Sequence, residues 1–385
     1  MRKKVAVILS RFPYPLDKGD KLRAYHQLKY LCLHYDIYLY CIHTEDVSKE
    51  SFQIIQSFCK EIKLFKIQYF DIFKGICYSL WHRYPIQVGY FYAKQIHQKI
   101  NLEITNHEID TVYCQLSRTA LYAKDFKGRK VIDFQDAFST NYKRLSEHTK
   151  GIYRLFYTRE YKTMLTFEQK MIHWFDTCTI IADFDKSQIE GSEHKMTVIP
   201  NGVDTGYYSA KKQVKKYDLL FVGNLSYLPN SHAVLYLVQK IVPLLLAKFP
   251  SVQVNIAGAD TPKDFLKLGN KNITISGFVP DIRDVYASAK IFVAPLFTGA
   301  GLQNKILEAM SMQLPCVTTS LVNFSLKASE NKHLMIANDE QAFADQIISL
   351  LQNEALQTQL SSQAHQFVEQ QYSWNAANEK LAQLL

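Results

Sequence analysis

The residues best equipped for chemistry lie in one run, Gly299-Ala300-Gly301-Leu302-Gln303-Asn304-Lys305-Ile306-Leu307-Glu308-Ala309-Met310. It follows an apolar stretch, Ile291 to Ala294, that reads as a buried strand. Two glycines open a turn, and an amphipathic segment starts at Leu302. A glycine turn feeding a helix leaves backbone N–H groups unpaired at the positive end of the helix dipole, a site suited to phosphate. Gly301, Leu302 and Gln303 are placed to supply those amides, and Lys305, about one turn in, adds a point charge. Glu308 is three residues after Lys305 and shares its helix surface. A carboxylate there can accept two hydrogen bonds from a ribose diol. Phosphate and ribose recognition together point to a nucleotide. The competing reading is an ordinary surface helix with Lys305 and Glu308 as a solvated ion pair.

The elements around this run alternate between short β-rich stretches and helical ones. In the first half the predicted strands are Lys4–Ser10, Asp36–Ile42, Glu61–Ile67, Asp110–Cys114, Lys130–Phe134 and Asp176–Ile181. In the second half they are Tyr217–Val222, Val252–Ala257, Asn272–Ser276, Lys290–Ala294, Cys316–Thr319 and Leu334–Ile336. Ala24, Leu28 and Leu31 sit at helical spacing with Asp20 as the expected N-cap, and Pro243 is expected to split the apolar stretch 233–249 into two helices. Such alternation predicts an α/β protein with two doubly wound, Rossmann-like domains, ligands binding at the carboxyl ends of the strands. The lysine-rich stretch 204–216 reads as the linker. This predicts an N-terminal domain over 1–205, a C-terminal domain over 206–370, and a last helix over 371–385 that packs back on the first domain. Ser373 is placed to cap that helix.

At 385 residues the chain suits two cores rather than one. Its 45 basic and 36 acidic residues give a net charge of +9. That excess suits an anionic ligand or an acidic membrane surface. Zinc-finger spacing, basic-region heptads and aromatic RNA-binding signatures are lacking, so nucleic acid is not an expected partner. The seven cysteines form no C-x-x-C pair and read as reduced residues of a cytoplasmic protein, with no metal site. Val5 to Leu9 is too short an apolar run for a signal peptide. No stretch is expected to approach the roughly 18 apolar residues of a membrane helix.

Four landmarks in register carry a resemblance. They are Pro13-Tyr-Pro-Leu-Asp-Lys-Gly-Asp-Lys-Leu-Arg23, Ile199-Pro-Asn-Gly-Val-Asp204, Phe221-Val-Gly-Asn-Leu225 with Pro229-Asn230, and Gly299 to Pro315. Across nearly its whole length the chain resembles glycosyltransferase family 4, the retaining nucleotide-sugar transferases of the GT-B fold, in which two such domains face each other across a cleft. It looks closest to the sugar transferases of bacterial exopolysaccharide gene clusters. The resemblance implies that Gly19 lets the first loop approach the donor diphosphate. Gly277-Phe278-Val279 matches the stretch bordering the nucleobase. After Val222, family members usually carry an arginine and a lysine on the diphosphate. This chain has Gly223-Asn224-Leu225-Ser226-Tyr227, leaving Asn224 as an uncharged donor and shifting the phosphate load to Lys305. Of two glutamates eight positions apart in the family, Glu308 is the second, and Ala300 stands at the first. The histidine that many members place in the first domain is missing as well. Asp136 is the nearest polar residue there, expected to orient the acceptor hydroxyl or take its proton, or else to cap the next helix.

The implied activity is metal-independent, retaining transfer from a UDP- or GDP-sugar to a glycan or lipid-linked acceptor hydroxyl, with no cofactor beyond the co-substrate. Lys305 and the amides stabilise charge on the leaving diphosphate. The aromatic and basic stretches 76–92 and 142–161 are candidates for acceptor binding or for peripheral contact with anionic membrane, at the inner face of the plasma membrane. A nucleotide-sugar epimerase of the same fold and a non-catalytic nucleotide-sugar-binding protein are the alternatives. A dinucleotide oxidoreductase is disfavoured because the turn 10–19 lacks G-x-G-x-x-G.

Overall fold

The computed structural model describes residues 2–211, 213–298 and 302–385. The chain forms two compact units, one of residues 1–201 with 377–385 and one of residues 202–376.

The first unit holds seven strands. They are β1 (Lys4–Leu9), β2 (Asp36–His43), β3 (Glu61–Lys66), β4 (Thr111–Gln115), β5 (Arg129–Asp133), β6 (Thr177–Ile180) and β7 (Met196–Val198). Their order is β3-β2-β1-β4-β5-β6-β7, and every neighbouring pair is parallel. Parallel strands need crossover helices, which bury both faces and select near-continuous apolar runs. The side chains divide accordingly. Ala6, Ile8, Tyr40 and Ile42 enter one core, whereas Val5, Val7, Leu9, Ile37 and Leu39 enter another. The strand order reverses between β1 and β4, so ligand chemistry belongs to the loops after those strands.

The second unit has six strands: β8 (Tyr217–Val222), β9 (Val254–Ala257), β10 (Ile273–Gly277), β11 (Ala289–Ala294), β12 (Cys316–Thr318) and β13 (Met335–Ile336). Their order is β10-β9-β8-β11-β12-β13, again all parallel, and the reversal falls between β8 and β11. The helix Asn304–Ser311 follows β11 in the chain, so the Lys305–Glu308 part of the run singled out in the sequence belongs to the element after this switch point.

Several local expectations are corrected. The first helix spans Gly19–Leu31 with Lys18 at the N-cap, not Asp20. Asp20 lies in the first turn and pairs with Arg11 at 2.9 Å. Pro243 does not break the apolar stretch into separate helices. The chain absorbs the proline with a π-helical turn, Leu237–Ile241, and continues as Val242–Lys248. The combined run Leu228–Lys248 is long and apolar enough to cross a membrane by length and composition, contrary to the sequence expectation. Leu237, Ile241, Val242 and Leu245 bury it in the core of the second unit, which accounts for its apolar character. β7, only three residues long, had no sequence signal. At the C-terminus, the Ser373 hydroxyl accepts from the Ala376 N–H at 3.1 Å. Ala377, Leu381 and Leu385 pack into the first unit's core, and Lys3 Nζ donates to the Leu385 carbonyl at 2.6 Å.

Candidate active site

In the second unit the site is built on the helix Asn304–Ser311. Gln303 is its N-cap and makes no side-chain capping bond, so its first turn keeps amides that no side chain of the cap satisfies. Leu302 and Gln303 are half-buried beside it, whereas Gly301, expected to share this role, lies outside the described residues. Lys305 projects from the first turn. Its ammonium donates to Asn230 Oδ1 and sits 5.4 Å from the centre of the Phe221 ring. Burial pushes it down to about 8, with Glu308 acting in the opposite sense. Among the described residues no ion pair joins Lys305 to Glu308, so the solvated-pair reading does not describe this helix.

Glu308 is held instead by tyrosines. Tyr286 Oη donates to it at 2.9 Å, and Tyr208 supplies a second hydroxyl. Burial raises the carboxyl's pKa, while the two hydroxyls and Lys305 oppose that rise. Tyr286 is fully buried and its hydroxyl also lies 3.2 Å from the Lys305 carbonyl, which fixes the helix as well as the carboxylate. Asn230 is buried too, its amide nitrogen donating to the Asn224 carbonyl at 2.7 Å. Asn230, Tyr208 and Tyr286 are supporting residues that spacing did not assign. Asn230 stood in one of the quoted landmarks, whereas the tyrosines are remote in sequence and carried no signal.

Asn224 is engaged on both sides of its amide. Its Nδ2 donates to Asp260 at 2.8 Å, and its Oδ1 accepts from the Ser226 N–H and hydroxyl at 2.9 and 2.8 Å. One amide hydrogen is thus taken by Asp260, and the amide oxygen by its own turn. Close by, Gly258 has φ +150° and packs directly on the Gly223 backbone, so a side chain has no room where β8 and β9 end. Phe278 is exposed and Val279 half-buried; they follow β10, two strands away from β8.

In the first unit, Gly19 opens its helix with open space where a Cβ would stand and without positive φ. Conformation does not demand a glycine there. Arg23, four residues on, is wholly buried. Its guanidinium contacts Asp133 at 2.5 and 3.3 Å, the Ile199 carbonyl at 3.0 Å and Asn201 Oδ1 at 3.0 Å. Gln27, Tyr113 and Thr179 complete the shell around Asp133. The Ile199–Asn201 part of its landmark is therefore bolted to the sheet by a structural ion pair.

Asp136 stands exposed in the turn after β5, its N–H donating to the Phe134 carbonyl at 2.9 Å. Its carboxyl is raised, first by desolvation and then by the nearby Asp185 and Asp133. It does not cap the next helix, Phe138–His148. Glu168 accepts from the Ser139 N–H at 3.2 Å, and Asp185 from the Ala137 N–H. Away from these sites Glu61, Glu103 and His107 come together, but Lys63 already contacts the two carboxylates at 2.9 and 3.3 Å.

Two parallel α/β sheets with helices on both faces match solved structures of the GT-B fold. Residues 216–353 match the family described as glycosyl transferases group 1. The chain is a glycosyltransferase, similar to the family-4 enzymes of exopolysaccharide clusters. It is 24% identical over 387 residues to an uncharacterized 44.6 kDa protein of the cps region of Klebsiella pneumoniae, covering 96% of both chains. It is 27% identical over 200 residues to a phosphatidyl-myo-inositol mannosyltransferase of Mycobacterium leprae, covering 49% of this chain and 52% of that one. Among solved structures it is similar to Anabaena Alr3699/HepE in complex with UDP, with TM-score 0.66 and 15% identity over 99% of this chain and 98% of that one.

Proposed function

We propose that the chain transfers a sugar, with retention and without a metal ion, from a UDP- or GDP-sugar to a glycan or lipid-linked acceptor hydroxyl. The observation carrying this reading is Lys305: a half-buried ammonium at a helix start with no side-chain cap, whose hydrogen-bond acceptor among the described residues is a neutral amide oxygen. Such a cation gains more from a diphosphate than from any group around it. Glu308, pre-aimed by Tyr208 and Tyr286, takes the ribose diol, and Phe278 and Val279 border the base. HepE's complex with UDP supports the uridine nucleotide as the first to try.

In the reaction the bond from C1 to the diphosphate oxygen breaks, and its electron pair stays on the diphosphate. Lys305 and the first-turn amides meet that charge. The acceptor oxygen bonds to C1 on the same face, and its proton passes to the leaving oxygen. Asp136 holds the acceptor hydroxyl in this scheme. The enzyme works at the cytoplasmic face of a membrane. Its contact there is the exposed aromatic side of the helix Tyr69–Trp81 (Tyr69, Phe70, Phe73 and Trp81) together with Ile152, Tyr153 and Leu155.

Thermal-shift screening against UDP-, GDP- and ADP-sugars, followed by transfer assays with anomeric analysis of the product, tests the reading. A melting-point rise with one sugar nucleotide and an α-to-α or β-to-β product are expected. Unchanged turnover in both Lys305→Ala and Glu308→Ala would refute it. Pelleting with anionic liposomes, reversed by salt, tests the membrane contact.

A further inference from the structure

A second site-like feature lies in the first unit, away from the residues assigned above. Between the helices Tyr69–Trp81 and Lys94–Asn106 is a cavity of about 400 Å³. That volume falls within the range of small-molecule pockets. Its floor forms because Gly75 lets the backbone at Gly89 and Tyr92 pass directly against the first helix; a Cβ at position 75 would collide with both carbonyl oxygens. Tyr78 and Tyr92 meet there with ring centres 5.0 Å apart. Tyr92 is further fixed by its hydroxyl, 3.2 Å from His97 Nδ1.

The polar groups around this aromatic floor are not balanced in charge. Lys74 and Lys94 line the cavity, with the Gln98 amide beside them. The sole acidic residue of the lining is Asp71, and its carboxylate is already occupied. Oδ2 accepts from the Gln68 N–H at 3.2 Å, and Oδ1 from Gln95 Nε2 at 2.6 Å. What remains for a ligand is the Lys94 ammonium, the Lys74 ammonium over the Phe70 ring at 4.1 Å, an amide and tyrosine faces. Aromatic faces suit the C–H side of a pyranose ring, amides suit its hydroxyls, and ammoniums suit an oxyanion. The Tyr69–Trp81 helix follows the carboxyl end of β3, the end of the strands at which a doubly wound domain binds ligands.

We propose that this cavity is a binding subsite for an acidic sugar, one bearing a carboxylate or a phosphate, within the acceptor. The assignment to the acceptor rests on the glycosyltransferase reading; the binding itself does not.

The test titrates the full-length protein with glucuronate, glucose 6-phosphate, glucose and inorganic phosphate at matched ionic strength, read by thermal shift and ligand-observed NMR. At least one acidic sugar binds, more tightly than both glucose and inorganic phosphate; which one separates carboxylate from phosphate. The variant K74E/K94E changes two exposed side chains and weakens that binding about tenfold or more. Its response to the sugar nucleotide that shifts the wild type stays the same. Binding of neither acidic sugar, equal binding of glucose or phosphate, or binding that survives K74E/K94E would overturn the proposal. Loss of the sugar-nucleotide response in the wild type would instead overturn the donor site and leave this one standing.

Discussion

Each unit contains a cation withdrawn from solvent, wholly in one and half in the other, beside a carboxylate, and the two groupings are built oppositely. Arg23 meets Asp133 directly and adds backbone carbonyls and Asn201 until its guanidinium is saturated. Lys305 has Asn230 as its hydrogen-bond acceptor, while Glu308 turns to tyrosines. The saturated cation keeps its charge, because Asp133 outweighs the desolvation that would lower its pKa. The unsaturated one is pushed down to about 8. A charge satisfied from within holds the fold. A charge left half-satisfied is a cost that a ligand can remove, and that separates a strut from a site.

The largest effect on this contrast comes from removing the strut. Arg23→Ala leaves Asp133 buried without its counter-ion and frees the Ile199–Asn201 segment. Loss of about 3–5 kcal/mol in chemical denaturation is expected. A variant as stable as the wild type would show that the saturated pair is not structural. Lys305→Ala should do the reverse, unfolding at or above the wild-type denaturant concentration while turnover falls about 10²–10³-fold. A large loss of stability with turnover preserved would invert the assignment of the two cations.

The pH dependence sharpens the same contrast. With Lys305 on the donor diphosphate as proposed, donor affinity should fall as pH rises through about 8. Stability should move the other way. The folded chain has released this proton above about 8, whereas an unfolded lysine keeps it to about 10.4, so the unfolded state binds more protons and stability rises across that window. Isothermal titration of the donor and denaturation across pH 7–10 check the opposed slopes. Parallel slopes, or none in Lys305→Ala and wild type alike, would remove Lys305 from the donor site.

The sequence was legible where a local pattern suffices. Parallel strands buried on both faces write continuous apolar runs, so twelve of the strands were recovered within two residues at either end, Tyr217–Val222 without error. The helix that carries Lys305 was legible because its apolar pattern follows that of β11 closely in the chain. What was hidden depends on distant residues or on competition between neighbours. Tyr208 and Tyr286 reach Glu308 from 100 and 22 positions away. Asp20 has the chemistry of a cap, but Arg11 draws it into an ion pair and the helix starts earlier. Pro243 predicts a break, yet an apolar stretch that must stay buried takes a π turn instead.

The smallest expected effect tests whether a half-satisfied group always marks a ligand. Glu168 is buried, caps the Phe138–His148 helix through the Ser139 N–H, and leaves Oε2 without a partner among the described residues. Burial raises it to about 7. The folded chain therefore holds a proton that an unfolded glutamate releases near 4.3, so this group's contribution is full below that value and fades as pH rises through about 7. Glu168→Gln keeps an acceptor for the cap and cannot ionise. It should match the wild type near pH 4.5 and exceed it increasingly as pH rises through about 7. If the variant instead loses acceptor turnover at equal stability, Glu168 belongs with Lys305 among the groups that a substrate completes. If only the pH slope of stability changes, an unpartnered buried atom here is a strain of the cap, and half-satisfaction marks a site only where the group is also a lasting charge.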